Sequence, residues 1–315
     1  MVQRRIILLL ICVTFFTYSG LAPKKCLLFG HRGASYHAPE NTLGAIKKAF
    51  ELGADGVEVD IQMTADKKLV VLHDETLERT ATYTCQNVKD DAYISKKRFT
   101  QIVQTPICEL HYDDFKHIDV GLWKGIEWAK EKVPKLDEVL CFLFFSEKPG
   151  KKIQIEIKSE NFEIISELTK ILAKYPSDFL QESVTIIGFD LEIMRKTKQE
   201  IPICCTLLVR GHEQLNTLHD VLISIAQMEH AGLDGIDLEA NPLLVTKEVI
   251  KEVKKRGKTI GIWVYPEQDT PENLLYFTQL GVDFQTTNLT PAITKALKRL
   301  YLRGKEAQEH RSGPL

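Results

Sequence analysis

Three histidines, an arginine and a Glu-x-Asp pair stand within residues 29–74, and these are the residue types that acid–base and metal-assisted chemistry requires. His31 and Arg32 lie in Gly30-His31-Arg32-Gly33, directly after the apolar run Cys26–Phe29, so they sit where a strand gives way to a loop. Glu58 and Asp60 lie inside a second such run, Gly56–Ile61. Alternation puts both carboxylates on one face, about 7 Å apart along the strand. Like charges so placed repel unless a cation stands between them. His73 and Asp74 follow a third run, Leu69–Leu72. Histidine can take or give a proton near neutral pH, so the stretch holds the means for both halves of a hydrolysis.

The elements that must position these groups are legible around them. Thr42 to Leu52 carries Leu43, Ile46 and Phe50 at helical spacing, with Asn41 or Thr42 as the cap. The turn Thr64–Lys68 is too short for a parallel crossover, so Leu69–Leu72 returns antiparallel on Ile61–Thr64. With the turn centred on Asp66–Lys67, paired positions sum to about 133, which sets His73 opposite Asp60. From Lys152 onward apolar runs alternate with amphipathic segments. Ile153–Ile157, Val184–Ile187, Ile203–Leu208, Gly235–Leu238, Thr259–Val264 and Asp283–Thr287 read as strands. Phe162–Tyr175, Leu191–Gln199, Gln214–His230, Lys247–Arg256 and Pro271–Leu280 read as helices, with a last one over Pro291–Leu302. Together with Cys26–Phe29 and Gly56–Ile61 the strands number eight, the count that closes a barrel.

Taken in order, His31-Arg32-Gly33, Pro39-Glu40-Asn41-Thr42, Glu58-x-Asp60, His73-Asp74 and Glu156-x-Lys158 resemble the motif set of the glycerophosphodiester phosphodiesterase family. The resemblance runs from about Leu27 to Arg299 and is best before Lys158. It implies an α/β fold, a TIM-type (β/α)8 barrel, with a bound divalent cation and cleavage of a phosphodiester into glycerol phosphate and an alcohol. By family position His31 and His73 are the acid–base pair. The preferred assignment gives activation of the nucleophile to His31 and protonation of the leaving group to His73; the reverse order stays open. The nucleophile is water, or the substrate's own glycerol hydroxyl acting through a cyclic phosphate.

At the strand ends of such a barrel Glu58, Asp60 and Glu156 form a hard oxygen site, suited to Ca²⁺ or Mg²⁺ rather than zinc. Arg32 would hold the phosphate with its planar fork, Lys158 would add a second positive charge, and Trp263 would wall the glycerol pocket. Glu40 and Asn41 would orient these groups or cap the helix, and Phe189 and Glu239 are weaker pocket candidates. The remaining histidines, among them His37 and His212, have no carboxylate at ligand spacing in the sequence. Two positions depart from the family pattern: Tyr265-Pro266 after Trp263, and Asn288 where relatives carry Asp after the last strand. Both are expected to bear on the glycerol side and to leave the histidine and metal positions alone.

Residues 75–133 interrupt the alternation and read as an inserted loop or subdomain that follows the second-strand hairpin and shapes access to the site. At the N-terminus, Arg4 and Arg5 precede the apolar run Ile6–Phe16 and small or polar residues, the layout of a signal segment over Met1–Ala22, or of an N-terminal anchor if it is kept. An exported chain permits disulfides, with Cys85–Cys108 the first pair to test; Cys26, Cys141, Cys204 and Cys205 sit in apolar runs and read as buried thiols. The barrel then spans residues 26–303, and residues 304–315 form a polar tail.

Over 315 residues the chain is 44% hydrophobic and 27% charged with a formal net charge of −2, so no basic field argues for nucleic acid. The expected substrate is a small glycerophosphodiester, with membrane association only through the N-terminal segment. Alternatives are a lysophospholipase D, which would need an apolar groove for an acyl chain, and a non-catalytic phosphodiester-binding barrel.

Overall fold

Short β-rich runs, each followed by an amphipathic helix, give this chain its plan. The computed structural model describes residues 26–84, 95–146 and 150–296. Among them nine strands form: β1 (Leu27–Gly30), β2 (Gly56–Met63), β3 (Leu69–Val71), β4 (Lys152–Ile157), β5 (Val184–Gly188), β6 (Cys205–Arg210), β7 (Gly235–Glu239), β8 (Thr259–Trp263) and β9 (Phe284–Thr287). All but β3 pair in parallel and close through β1–β2 and β1–β9, a TIM-type (β/α)8 barrel.

Helix α1 (Leu43–Glu51) follows β1, and Thr42 is its cap, its Oγ1 accepting from the Ala45 N–H at 3.1 Å. After the hairpin come α2 (Lys96–Gln104), α3 (Tyr112–Phe115) and α4 (Leu136–Phe144). The outer ring continues with α5 (Glu163–Leu172), α6 (Ser177–Ser183), α7 (Leu191–Glu200), α8 (Leu218–His230), α9 (Lys247–Lys255) and α10 (Pro271–Leu280). Apolar stripes on these helices bury against the outward side chains of the strands, for instance Ile46 and Ala49 of α1 with Val57 and Val59 of β2. Inside the barrel Phe29, Ile187, Leu207, Val209 and Phe284 form a separate cluster. Phe284 takes the space that Gly261 leaves: a Cβ there would lie 2.0 Å from its ring.

Three expectations are corrected. The hairpin pairs Ile61 with Val71 and Met63 with Leu69, a register one residue tighter than expected, so Leu72 and not His73 stands opposite Asp60. The cause is a three-residue loop, Ala65-Asp66-Lys67, closed by Thr64 N to Lys68 O at 3.0 Å, with Lys67 at φ 60°. Strand β6 begins at Cys205 rather than Ile203, because Pro202 and Ile203 form the turn that ends α7. Cys141 is exposed on α4, whereas Cys204 is buried as expected. Helix α6 had no counterpart in the pattern reading.

The insertion folds around a core of its own. Leu77, Ile107, Phe115 and Val133 pack there with Val70 and Leu72 of the returning hairpin. Tyr112 and Phe99 serve this small core rather than the barrel mouth. Met1–Ala22, Cys85 and the tail 304–315 lie outside the described residues, as does any Cys85–Cys108 bond. No helix among the described residues is long and apolar enough to cross a membrane.

Candidate active site

The C-terminal ends of the strands frame a cavity of about 620 Å³, and the residues singled out from sequence meet there: His31, Arg32, Glu58, His73, Glu156, Lys158 and Trp263 all line it. Asp60 lies just beneath, 1% exposed. Of the insertion's described residues Trp123 and Lys124 reach this cavity.

The loop after β1 is folded back by its own polar groups. Arg32 and Asn41 both adopt positive φ, 54° and 58°, which turns the chain so that Asn41 N reaches Arg32 O at 3.0 Å. Asn41 Nδ2 then donates to Asp60 Oδ2 at 2.7 Å and its Oδ1 accepts from Asp60 N at 3.2 Å. Pro-Glu-Asn therefore locks the loop that carries His31 onto β2, which carries the carboxylates. The Arg32 N–H donates to Glu58 Oε2 at 2.8 Å, and its Nη1 pairs with Glu40 Oε1 at 2.8 Å.

Glu58, Asp60 and Glu156 come within 4.8 Å of one another through one oxygen each. Lys158 is their counter-ion, with Nζ 2.6 Å from Glu156 Oε1 and 3.2 Å from Asp60 Oδ1, contacts that lack the alignment of hydrogen bonds. Burial, then the neighbouring carboxylates, pushes Glu58 well above the usual carboxyl range, and burial raises Glu156 to about 7. Burial would raise Asp60 too, but Lys158 and Arg32 outweigh it and hold the group low. Glu58 Oε1 is buried without a partner. An orphaned carboxylate oxygen facing two more is costly in a chain by itself, and an all-oxygen donor set is what a hard divalent cation takes. The residues therefore fit such an ion.

Each histidine is held through Nδ1. His31 Nδ1 lies 2.9 Å from Asn288 Oδ1, an oxygen that also accepts from Ser35 Oγ at 3.0 Å. An amide oxygen only accepts, so Nδ1 carries the hydrogen and Nε2 keeps its lone pair. His73 Nδ1 donates in the same way to Asp74 Oδ1 at 2.7 Å. Burial, reinforced by Arg32, lowers His31 to about 4, and burial lowers His73 as well. The His31 ring touches the cavity, yet protein groups enclose it enough for burial to dominate. His31 is therefore neutral at physiological pH.

The second departure thus does touch a histidine position: Asn288 is the partner of His31, and the expectation that it would not is overturned. Sequence reasoning could not see this because the two lie 257 positions apart and meet only when β9 closes on β1. Tyr265 lines the cavity beside Trp263, ring centroids 4.9 Å apart, and Phe189 meets Trp263 at 6.0 Å, so three rings form one wall. Glu239 is spent elsewhere, accepting from His212 N, His212 Nδ1 and Gln268 Nε2. His212 therefore does have a carboxylate partner, supplied by a neighbouring strand end. Asp237, which the sequence reading passed over, is buried at the cavity floor, and burial and Glu156 push it far above the ordinary range.

A closed parallel barrel with its titratable groups gathered where the strands end is an enzyme's arrangement, with the substrate seated at the mouth. The chain belongs to the glycerophosphoryl diester phosphodiesterase family, whose model matches residues 31–288, from the first histidine to its Asn288 partner. It is a hydrolase of glycerophosphodiesters, and the reading as a non-catalytic barrel is set aside. Glycerophosphodiester phosphodiesterase from Bacillus altitudinis is 48% identical over 259 residues, 81% of this chain and 91% of that protein. The enzyme of that name from Caldanaerobacter subterraneus subsp. tengcongensis is 30% identical over 264 residues, 82% and 92% of the two chains. A phosphodiesterase structure from Oleispira antarctica, in complex with the product sn-glycerol-3-phosphate, is similar in fold with a TM-score of 0.68 at 20% identity, covering 86% of this chain and 96% of that one. The Thermotoga maritima glycerophosphodiester phosphodiesterase gives 0.62 at 23%, covering 88% and 98%.

Proposed function

We propose that this protein releases sn-glycerol 3-phosphate from deacylated phospholipids such as glycerophosphocholine, by histidine acid–base catalysis assisted by Ca²⁺ or Mg²⁺. The observation that carries this reading is the pair of imidazoles, each tied down at Nδ1 and lining one cavity with the carboxylate cluster.

His31 Nε2 takes the proton of the attacking oxygen, water or the glycerol hydroxyl, because its lone pair is free and its low basicity keeps it unprotonated. His73 acts as the acid in its imidazolium form: Nδ1–H stays on Asp74 while the Nε2 proton passes to the departing alkoxide, and the neutral ring left behind is reprotonated from solvent. Glu58, Asp60 and Glu156 would hold the cation, which supplies Lewis-acid stabilisation of phosphate charge when bound. Arg32 and Lys158 bind the remaining phosphate oxygens; Glu40 orients the Arg32 fork. Trp263 spends its indole N–H on the Arg210 carbonyl at 3.2 Å and so offers the cavity an apolar face. That wall of Phe189, Trp263 and Tyr265 also favours a second reading, a lysophospholipase D with the acyl chain along the rings. The layout of Met1–Ala22 supports export, with cleavage or retention of that segment deciding between a secreted and an anchored enzyme.

The test is glycerol 3-phosphate release from glycerophosphocholine by the chain lacking Met1–Ala22, with Ca²⁺, with Mg²⁺ and with EDTA. Release that EDTA abolishes is the expected result. Release that persists in EDTA would remove the metal from the proposal, and choline release from lysophosphatidylcholine alone would transfer it to the second reading.

A further inference from the structure

Besides Trp123 and Lys124, the insertion turns Arg79 toward the site, and that side chain grips two carboxylates at once. Arg79 lies in the turn after His73-Asp74, anchored by Leu77, which is fully buried in the insertion's own core and whose carbonyl accepts from Thr80 N and Ala81 N. Arg79 Nε donates to Asp74 Oδ2 at 2.6 Å and Nη2 to Asp74 Oδ1 at 3.1 Å. Nη1 donates to Glu40 Oε2 and Nη2 to Glu40 Oε1, each at 2.7 Å. Both oxygens of both carboxylates are therefore engaged by one planar fork.

Each of those carboxylates has a second task. Asp74 Oδ1 receives His73 Nδ1 at 2.7 Å, and Glu40 Oε1 receives Arg32 Nη1 at 2.8 Å. Asp74 is half-buried and adjoins His73 in the chain, so without a partner it could turn to solvent and release the imidazole. An exposed ion pair adds little to stability. A fork that fixes two carboxylates, each aimed at a different functional group, does something a single pair cannot.

We propose that Arg79 is a positioning residue: by clamping Asp74 and Glu40 together it fixes the His73 tautomer and the Arg32 guanidinium at the same time, and so couples the inserted subdomain to the site. This rests on the roles given above to His73 and Arg32. Lysine, a point charge without a fork, cannot reproduce the double grip.

The experiment has two arms on the same proteins, wild type, Arg79→Ala and Arg79→Lys. In the first, imidazole ¹⁵N shifts at pH 8, with His73 assigned from the His73→Gln spectrum, report the tautomer without needing turnover. The wild type should show Nδ1–H, and both variants a larger share of Nε2–H. In the second, hydrolysis of glycerophosphocholine should show kcat lowered about 10- to 100-fold in Arg79→Ala, as for other residues that orient a functional group. Added guanidinium should restore part of that loss and leave the wild type unchanged. An unaltered His73 signal in both variants overturns the clamp even if the enzyme is active, as does kcat in Arg79→Lys equal to the wild type. A shifted His73 signal with no turnover by the wild type supports the clamp and sinks the proposed reaction instead. Should Arg79→Ala not fold, Arg79→Lys carries both arms.

Discussion

The ring of His31 is fixed by the amide of Asn288, with Nδ1 2.9 Å from Oδ1. Asn288 is itself held: its N–H donates to Asp269 Oδ2 at 2.9 Å, and Thr287 Oγ1 donates to Asp269 Oδ1 at 2.5 Å. A carboxylate thus stands one residue removed from the imidazole, with a neutral amide between them. That separation leaves His31 with nothing to offset its burial except the amide hydrogen bond and the more distant Asp60.

Asn288→Asp would place a negative charge directly on Nδ1–H. Opposite charge favours the imidazolium, so His31 should rise from about 4 by about 1 to 3 units. A base must be unprotonated to act, so the acid limb of kcat/KM should move to higher pH by the same amount. A pH–rate profile over the acid range measures it, and an unmoved limb would take His31 out of the base role.

Removing the other imidazole should stop turnover without unfolding the chain. In His73→Ala we expect kcat to fall about 10²- to 10⁴-fold, the usual worth of a positioned acid. The ring is half-exposed, so the melting temperature should stay close to that of the wild type. Turnover at the wild-type level would exclude His73 from the mechanism.

Cation binding should weaken as the pH falls. Glu58 and Glu156 are raised, Glu156 to about 7, so below neutrality a ligand must shed a proton before it can coordinate. Calorimetry with Ca²⁺ and with Mg²⁺ at pH 6 and pH 8, in two buffers of different ionisation enthalpy, should show tighter binding at the higher pH and proton release at the lower. Glu156→Gln should weaken binding at both; unchanged affinity would contradict its place as a ligand.

At the barrel floor, Gly261→Ala should destabilise by about 1 to 3 kcal/mol, because the new methyl overlaps the Phe284 ring held edge to face against Phe29. The urea midpoint reads this directly. A wild-type midpoint would mean that the ring repacks freely.

How much of this was legible in advance follows the range of each interaction. The barrel count, the strand-end placement of His31, Glu58, Asp60, Glu156 and Lys158, and a cap at Asn41 or Thr42 depend on alternation, helical periodicity and turn length, all of which are local and written in consecutive residues. The motif resemblance added which histidines to pair. Even the hairpin register, set by three loop residues, slipped by one, since a five-residue turn allows two centres and only the backbone conformation at Lys67 chooses between them. What tertiary structure alone decided are the partners of those groups. Asn288 reaches His31 because β9 closes beside β1, His212 reaches Glu239 because β6 lies next to β7, and Arg79 reaches Glu40 across 39 positions because the insertion packs its own core against the hairpin. Sequence determines which residues line a strand or helix face through steric rules that act within a few residues, whereas the neighbours that set a side chain's tautomer, charge and orientation come from distant segments brought together only when the barrel closes.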